Sequence, residues 1–134
     1  MTSNADTVRA IYAAFGRGDV PAILDHISDD VDWDFAHAGV DVPWLAPRRG
    51  KAGVLAFFEA IPANLEPRRF EVTAVLGDGA VVVALANVTW LVKSTGRVIE
   101  EDDEAHVWRF DARGKVIRFR HGVNTLGHAQ ALAR

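Results

Sequence analysis

The chain of 134 residues contains no cysteine. Disulfides, thiolate nucleophiles and cysteine-based zinc sites are excluded at once, and a reducing compartment is the natural setting. Positive charge is also scarce, with 15 Lys+Arg against 18 Asp+Glu and a formal net charge of -3. Without a concentrated basic face to neutralise phosphates, no nucleic-acid partner is expected. Arg48-Arg49-Gly50-Lys51 and Arg68-Arg69 are short clusters of the kind that solvated loops carry. Long apolar runs are missing: the longest, Ala80 to Val92, is interrupted by Asn87 and Thr89 and is too short for a membrane helix. Met1 to Asp6 is polar and lacks the apolar stretch of a signal peptide, so a cytoplasmic protein with no membrane partner is expected. No glycine-rich phosphate loop, His-Glu-x-x-His helix or nucleophile elbow occurs, and neither cofactor nor metal is expected.

What is present suits one packed core. Hydrophobic residues make up 49% of the chain and charged residues 25%, which with this length predicts a single domain over 1–134. Val8, Ile11, Tyr12 and Phe15 recur at helical spacing, with Ser3-x-x-Asp6 as a capping arrangement and Gly16 and Gly18 as the stop. Asp19 predicts the cap of a second short helix, with Pro21 in its first turn and Ile23, Leu24 and Ile27 facing inward. Val31, Trp33 and Phe35 alternate with Asp32, Asp34 and Ala36, the pattern of a half-buried strand. Ala38 to Arg49, with Gly39, Pro43 and Pro47, predicts an irregular loop. Val54, Phe57, Phe58 and Ile61 then predict a third helix ending near Pro62. From Pro67 onward, Phe70–Leu76, Ala80–Lys93, Arg97–Asp111 and Lys115–Thr125 predict four strands joined by hairpin turns. Leu126 to Leu132 predicts a closing helical turn or a frayed tail. Helices followed by consecutive hairpins indicate an α+β fold with helices on one face of an antiparallel sheet.

The stretches VRAIYAAFGRGDVPAILDHISDDVDW, GVLAFFEAI and AHVWRFDARGKVIRFRHGVNT, covering nearly the whole chain, resemble the SnoaL-like branch of the nuclear transport factor 2-like superfamily. The resemblance implies a cone, or α+β barrel: a strongly curved antiparallel sheet wrapped around N-terminal helices, with a pocket for a small apolar ligand. Relatives include polyketide cyclases, ketosteroid isomerases, limonene epoxide hydrolases and scytalone dehydratases, besides binding and scaffold domains, so the fold leaves the function open.

Strand alternation predicts that Asp102, Glu104, His106, Trp108 and Phe110 share the core face. His106 is the candidate acid/base, because its ordinary pKa lies near working pH; a satisfied core histidine is the bland alternative. A pair with Glu104 on the same strand face is one alternative, although neighbours two apart on a strand point in parallel rather than toward each other. In the last strand Arg120, Gly122 and Asn124 share a face. Relatives often carry Arg-x-x-x-Asp-Thr there, and Asn124 stands where the resemblance puts the acid/base aspartate. An amide can orient a carbonyl or enolate but cannot take its proton, so Asn124 either orients substrate or caps the C-terminal segment. Tyr12, Phe15, Trp33, Trp44, Phe57, Phe58 and Trp108 are candidate pocket residues with Glu104, Trp44 closing over the ligand from its Pro-flanked loop. His37 is expected at the pocket mouth or in solvent, and His121 with His128 forms no persuasive pair. Asp32 and Asp34 should point away from the core, and the run Glu100 to Glu104 should divide between two faces.

Three functions compete: cofactor-independent acid/base chemistry of isomerase, cyclase or dehydratase type on a polyketide- or steroid-like molecule, with His106 as acid/base and Asn124 and Arg120 as polar orienters, non-catalytic binding in the same pocket, or a homodimeric scaffold. For the last, Val82, Val88 and Trp90 are the expected apolar patch on the convex sheet face.

Overall fold

A computed structural model describes residues 2–34 and 37–133. Phe35, expected to extend the first strand's alternation, lies outside the described residues. Helix α1 spans Asn4–Arg17; the Ser3 side chain accepts from Asp6 N at its start, and Gly18 ends it at φ 70, a left-handed geometry that glycine adopts without a Cβ penalty. Helix α2, Val20–Leu24, is capped by Asp19 as expected, but Ile27 already opens strand β1 (Ile27–Trp33). The loop that follows holds a 3-10 turn at Pro43–Leu45 and a two-residue strand β2, Arg48–Arg49. Helix α3, Gly50–Asn64, starts on Gly50 at φ 72, where an added Cβ would meet Asp29 O at 3.0 Å. It runs two residues past Pro62, since so near the C-terminus a proline costs one hydrogen bond and Asn64 Nδ2 caps Ala60 O.

Strands β3 (Leu65–Asp78), β4 (Val81–Val92), β5 (Val98–Phe110) and β6 (Val116–Gly122) follow as consecutive hairpins, and helix α4 (Thr125–Leu132) closes the chain. The curved, unclosed sheet has the order β2-β1-β6-β5-β4-β3. It is not wholly antiparallel: β1 lies parallel to β6, which the intervening helices and hairpins permit. Two apolar clusters fill the concave side. One joins α1 and α3 to Trp33, Trp108 and Phe119; the other joins Trp44 and Leu65 to Trp90, Val92 and Ile99.

Alternation in β4 is regular, and it corrects one expectation. Val82, Val88 and Trp90 are buried on the concave side, so the residues turned outward are Val81, Val83, Leu85, Asn87, Thr89 and Leu91. Strand β5 is not regular. Ala86 pairs with Glu104 and Val88 with Glu101, so three steps on β5 oppose two on β4. Asp103 takes φ 54 at this bulge, and its N–H donates to Asn87 Oδ1 at 2.9 Å. Beyond the bulge the inward set is Ile99 and Glu101 instead of Asp102, whose side chain is 72% exposed. No helix among the described residues is long and apolar enough to cross a membrane.

Candidate functional site

A cavity lies between the concave sheet, α1 and α3, with Trp44 against one side. Its empty space, counted out to the mouth, is about 650 Å³, and little of it admits the centre of a water molecule. The eight residues expected to contact a ligand (Tyr12, Phe15, Trp33, Trp44, Phe57, Phe58, Glu104 and Trp108) all stand on its wall. Aromatic rings make the apolar part, with Trp33 stacked on Phe119 at 4.2 Å and Phe15 against Phe70 at 5.1 Å. Trp33 Nε1 is buried and has no hydrogen-bond partner.

The polar part of the wall is built from three histidines, two backed by a buried carboxylate and the third by a half-buried one. His106 Nε2 is 2.7 Å from Glu104 Oε1, and its Nδ1 is 2.5 Å from the Tyr12 hydroxyl. Residues two apart on this strand therefore do meet, because the long Glu104 side chain reaches along the strand from the edge of the bulge. Trp108 Nε1 donates to the Tyr12 oxygen at 3.2 Å. Burial, the largest effect, and the charge of Glu104 push the Tyr12 hydroxyl pKa up against the Trp108 hydrogen bond, so it stays a phenol.

His121 faces the cavity from β6, with Asp34 behind it. Asp34 is 0% exposed, contrary to the expectation that it points away from the core. Strand β1 stops at Trp33, and Asp34 takes a left-handed φ of 58, which breaks the alternation and turns its side chain inward. Its Oδ1 accepts from His121 N at 3.0 Å, and its Oδ2 lies 2.6 Å from His121 Nδ1. That second contact is close but bent away from hydrogen-bond alignment, so we treat it as an ion pair. Burial works to lower the His121 pKa; the Asp34 bond and charge, helped by Glu104 and Glu101, outweigh it and leave the imidazole above its ordinary value of 6.5. His121 lines the cavity, and its Nε2 makes no hydrogen bond among the described residues. Its ring lies 5.9 Å from that of His106.

The third histidine, His128 on α4, places Nε2 2.7 Å from Glu101 Oε1 and accepts from Trp44 Nε1 at its Nδ1, 2.8 Å away. The bulge that turns Asp102 outward brings Glu101 in, so the acidic run converges where plain alternation would divide it. Two groups of residues bring possible metal ligands within 4.8 Å of one another: Asp34, His37 and His121, and Glu101, Glu104 and His128. Hydrogen bonding argues against both. His37 Nε2 faces the His121 carbonyl at 2.8 Å, and a carbonyl only accepts; Trp44 only donates to His128 Nδ1, which leaves the proton on Nε2. A protonated ring nitrogen is not a ligand.

Two residues expected in the site stand outside it. Arg120 points from the opposite face of β6 and binds Asp32 through both guanidinium nitrogens, at 2.9 and 3.1 Å. That bond, more than the opposing burial, holds the Asp32 carboxyl below its ordinary value of 3.8. Asn124 follows the end of β6 and caps α4, its Oδ1 accepting from Gly127 N at 3.0 Å. The buried residues of β6 are Val116, Phe119 and His121, and counting alternation from the apolar Phe119 would have found His121. His37 is buried with its ring 5.4 Å from His121 rather than on the cavity wall or in solvent.

Residues 8–119 match the SnoaL-like domain family. Over their full lengths, the chain is 26% identical to NTF2-like proteins of known structure from Burkholderia thailandensis, with a TM-score of 0.86, and Burkholderia pseudomallei, with 0.83; the latter is described as of unknown function. A Pseudomonas putida protein named provisionally as a polyketide cyclase shares the fold at 22% identity and a TM-score of 0.73, over 99% of this chain and 100% of that one. No curated protein matches the chain.

Proposed function

The chain belongs to the SnoaL-like domain family, and on that premise we propose that it carries out cofactor-independent acid/base chemistry, of isomerase, cyclase or dehydratase type, on a small apolar carbonyl compound of polyketide or steroid kind. The observation that carries this reading is the pair of imidazoles 5.9 Å apart on an aromatic cavity wall, each against its own buried carboxylate. Such pairs let one group donate while the other accepts. The base arm runs through Tyr12. A carbon acid gives its proton to the Tyr12 oxygen, the Tyr12 proton passes to His106 Nδ1, and the imidazolium so formed rests against Glu104. The electron pair left on carbon moves to the carbonyl oxygen, which accepts a hydrogen bond from His121 Nε2–H. Glu104 and Asp34 orient the rings and stabilise their charged forms.

The test is deuterium incorporation from D2O at the α-carbon of 2-tetralone and of 5-androstene-3,17-dione. Acceleration by the protein, reduced about 100-fold or more in Tyr12→Phe, His106→Ala and His121→Gln, is the expected result. Binding of either ketone with no acceleration would replace this reading with that of a binding domain, and a His106→Ala protein of undiminished rate would remove the base.

We also propose a homodimer formed through the outward sheet face. Val83, Leu85 and Val107 form its apolar centre, with Arg109 and Arg118 toward one end and Glu100 and Asp102 toward the other. A two-fold axis would set the basic end of one copy against the acidic end of its twin.

A further inference from the structure

Glu101, His128 and Trp44 have no part in the chemistry proposed above, yet their hydrogen bonds run into it. An indole N–H can only donate. Trp44 Nε1 donates to His128 Nδ1 at 2.8 Å, so His128 carries its proton on Nε2, toward Glu101 Oε1 at 2.7 Å. From the other side Glu104 Oε1 accepts from His106 Nε2 at 2.7 Å, which leaves Nδ1 of the neutral ring as an acceptor for the Tyr12 hydroxyl. Two chains of donors therefore run toward each other and end on two carboxyl groups, one buried and one half-buried. Oxygens of Glu101 and Glu104 lie within 4.8 Å of one another and of His128. Two ionised carboxylates this close and this buried repel, and neither chain has a proton left to put between them.

We propose that Glu101 and Glu104 share one proton, and that this pair, with His128 and Trp44 behind it, is a positioning device that holds His106 as its Nε2–H tautomer with Nδ1 turned to Tyr12. The other groups facing the pair are His121 from β6, Tyr12 from α1 and the Asn124 backbone N–H, which donates to Glu101 Oε1 at 3.1 Å. Glu101 is the natural acceptor of the shared proton. Burial raises its pKa, but the bond and charge of His128, the bond from Glu104 and the Asn124 N–H together hold it below its ordinary value of 4.5. The loop that lays Trp44 against the cavity is thereby hydrogen-bonded in series with the proposed base. Only the consequence for turnover rests on the acid/base reading; the proton and the tautomers exist without substrate.

Nitrogen-15 NMR of the histidine rings in the full chain, with no ligand, tests this. Both His106 and His128 are expected as Nε2–H tautomers at neutral pH. Trp44→Phe keeps an apolar ring and removes only the N–H, so the His128 preference for the Nε2–H tautomer should weaken, with Glu101 alone left to hold it. Glu101→Ala leaves Glu104 as an unshared carboxylate, and the His106 titration midpoint should rise by about one unit. Glu101→Gln should restore it, because the amide oxygen can accept the Glu104 proton as the Glu101 carboxylate did. His128 protonated on Nδ1 in the wild type, or a His106 midpoint unmoved in Glu101→Ala, would overturn the proposal. If Glu101→Ala does not fold, the wild-type tautomers and Trp44→Phe decide it alone. Absence of deuterium exchange with either ketone would count against the proposed function and leave these readouts intact.

Discussion

Asp34 and His121 illustrate what one buried ion pair does for both stability and chemistry. The Asp34 carboxylate has no solvent, and His121 supplies it with a backbone N–H and a charged ring. Removing one partner strands the other, so Asp34→Ala should cost about 3–5 kcal/mol, measured by urea unfolding. The pH dependence follows from the direction of the His121 shift. Its folded pKa is raised above the unfolded value near 6.5, so the folded state binds the proton more tightly. The stabilisation is fully present below about pH 6.5 and is lost as pH rises through the folded value. The urea midpoint of the wild type should therefore fall as pH rises above about 6.5, and by less in His121→Gln. Parallel curves for the two proteins would show that the pair contributes nothing through this proton. Neither residue stood out in the sequence, where Asp34 reads as the polar half of an alternating strand; a single left-handed φ reverses it.

Among the elements, β5 decides the composition of the site. Read as plain alternation, it correctly puts Glu104, His106, Trp108 and Phe110 inward, because the extra residue at the Arg109/Phe110 register shift lies on β6 and leaves β5 regular. The same reading fails on the far side of Asp103, where one extra residue exchanges Asp102 for Glu101. Nothing in Glu100–Glu104 marks the extra residue, since aspartate tolerates a left-handed φ without announcing it as glycine would. At φ 54 a β-branched side chain is strained, so Asp103→Val should cost about 1–2 kcal/mol, whereas Asp103→Gly should be neutral or slightly stabilising. Urea midpoints of the two variants check this. A tolerated valine would mean that the strand can relax to regular pairing. Both ends of α1 and the start of α2 were legible almost to the residue because Ser3, Gly18 and Asp19 act on their own neighbours, whereas the end of α2 at Leu24 was not.

For the whole molecule, the curved sheet sets the cavity on one side and an apolar face on the other. If that outer face joins two copies, Leu85→Lys should place a charge at its centre and give a monomer in sedimentation, with the far-UV spectrum unchanged. A wild type that is already monomeric at high concentration would dispose of the dimer. Periodicity, caps and turn residues were enough to establish the first three helices and the run of hairpins, because each depends on residues within a few positions of one another; the aromatic pocket was implied by the family resemblance. Which polar groups meet was settled by folding alone. Tyr12 and His106 are 94 residues apart, Asp34 and His121 are 87 apart, and Trp44 and His128 are 84 apart. Their pairing depends on sheet curvature, on a bulge and on one reversed backbone angle, and none of these leaves a local pattern in the chain.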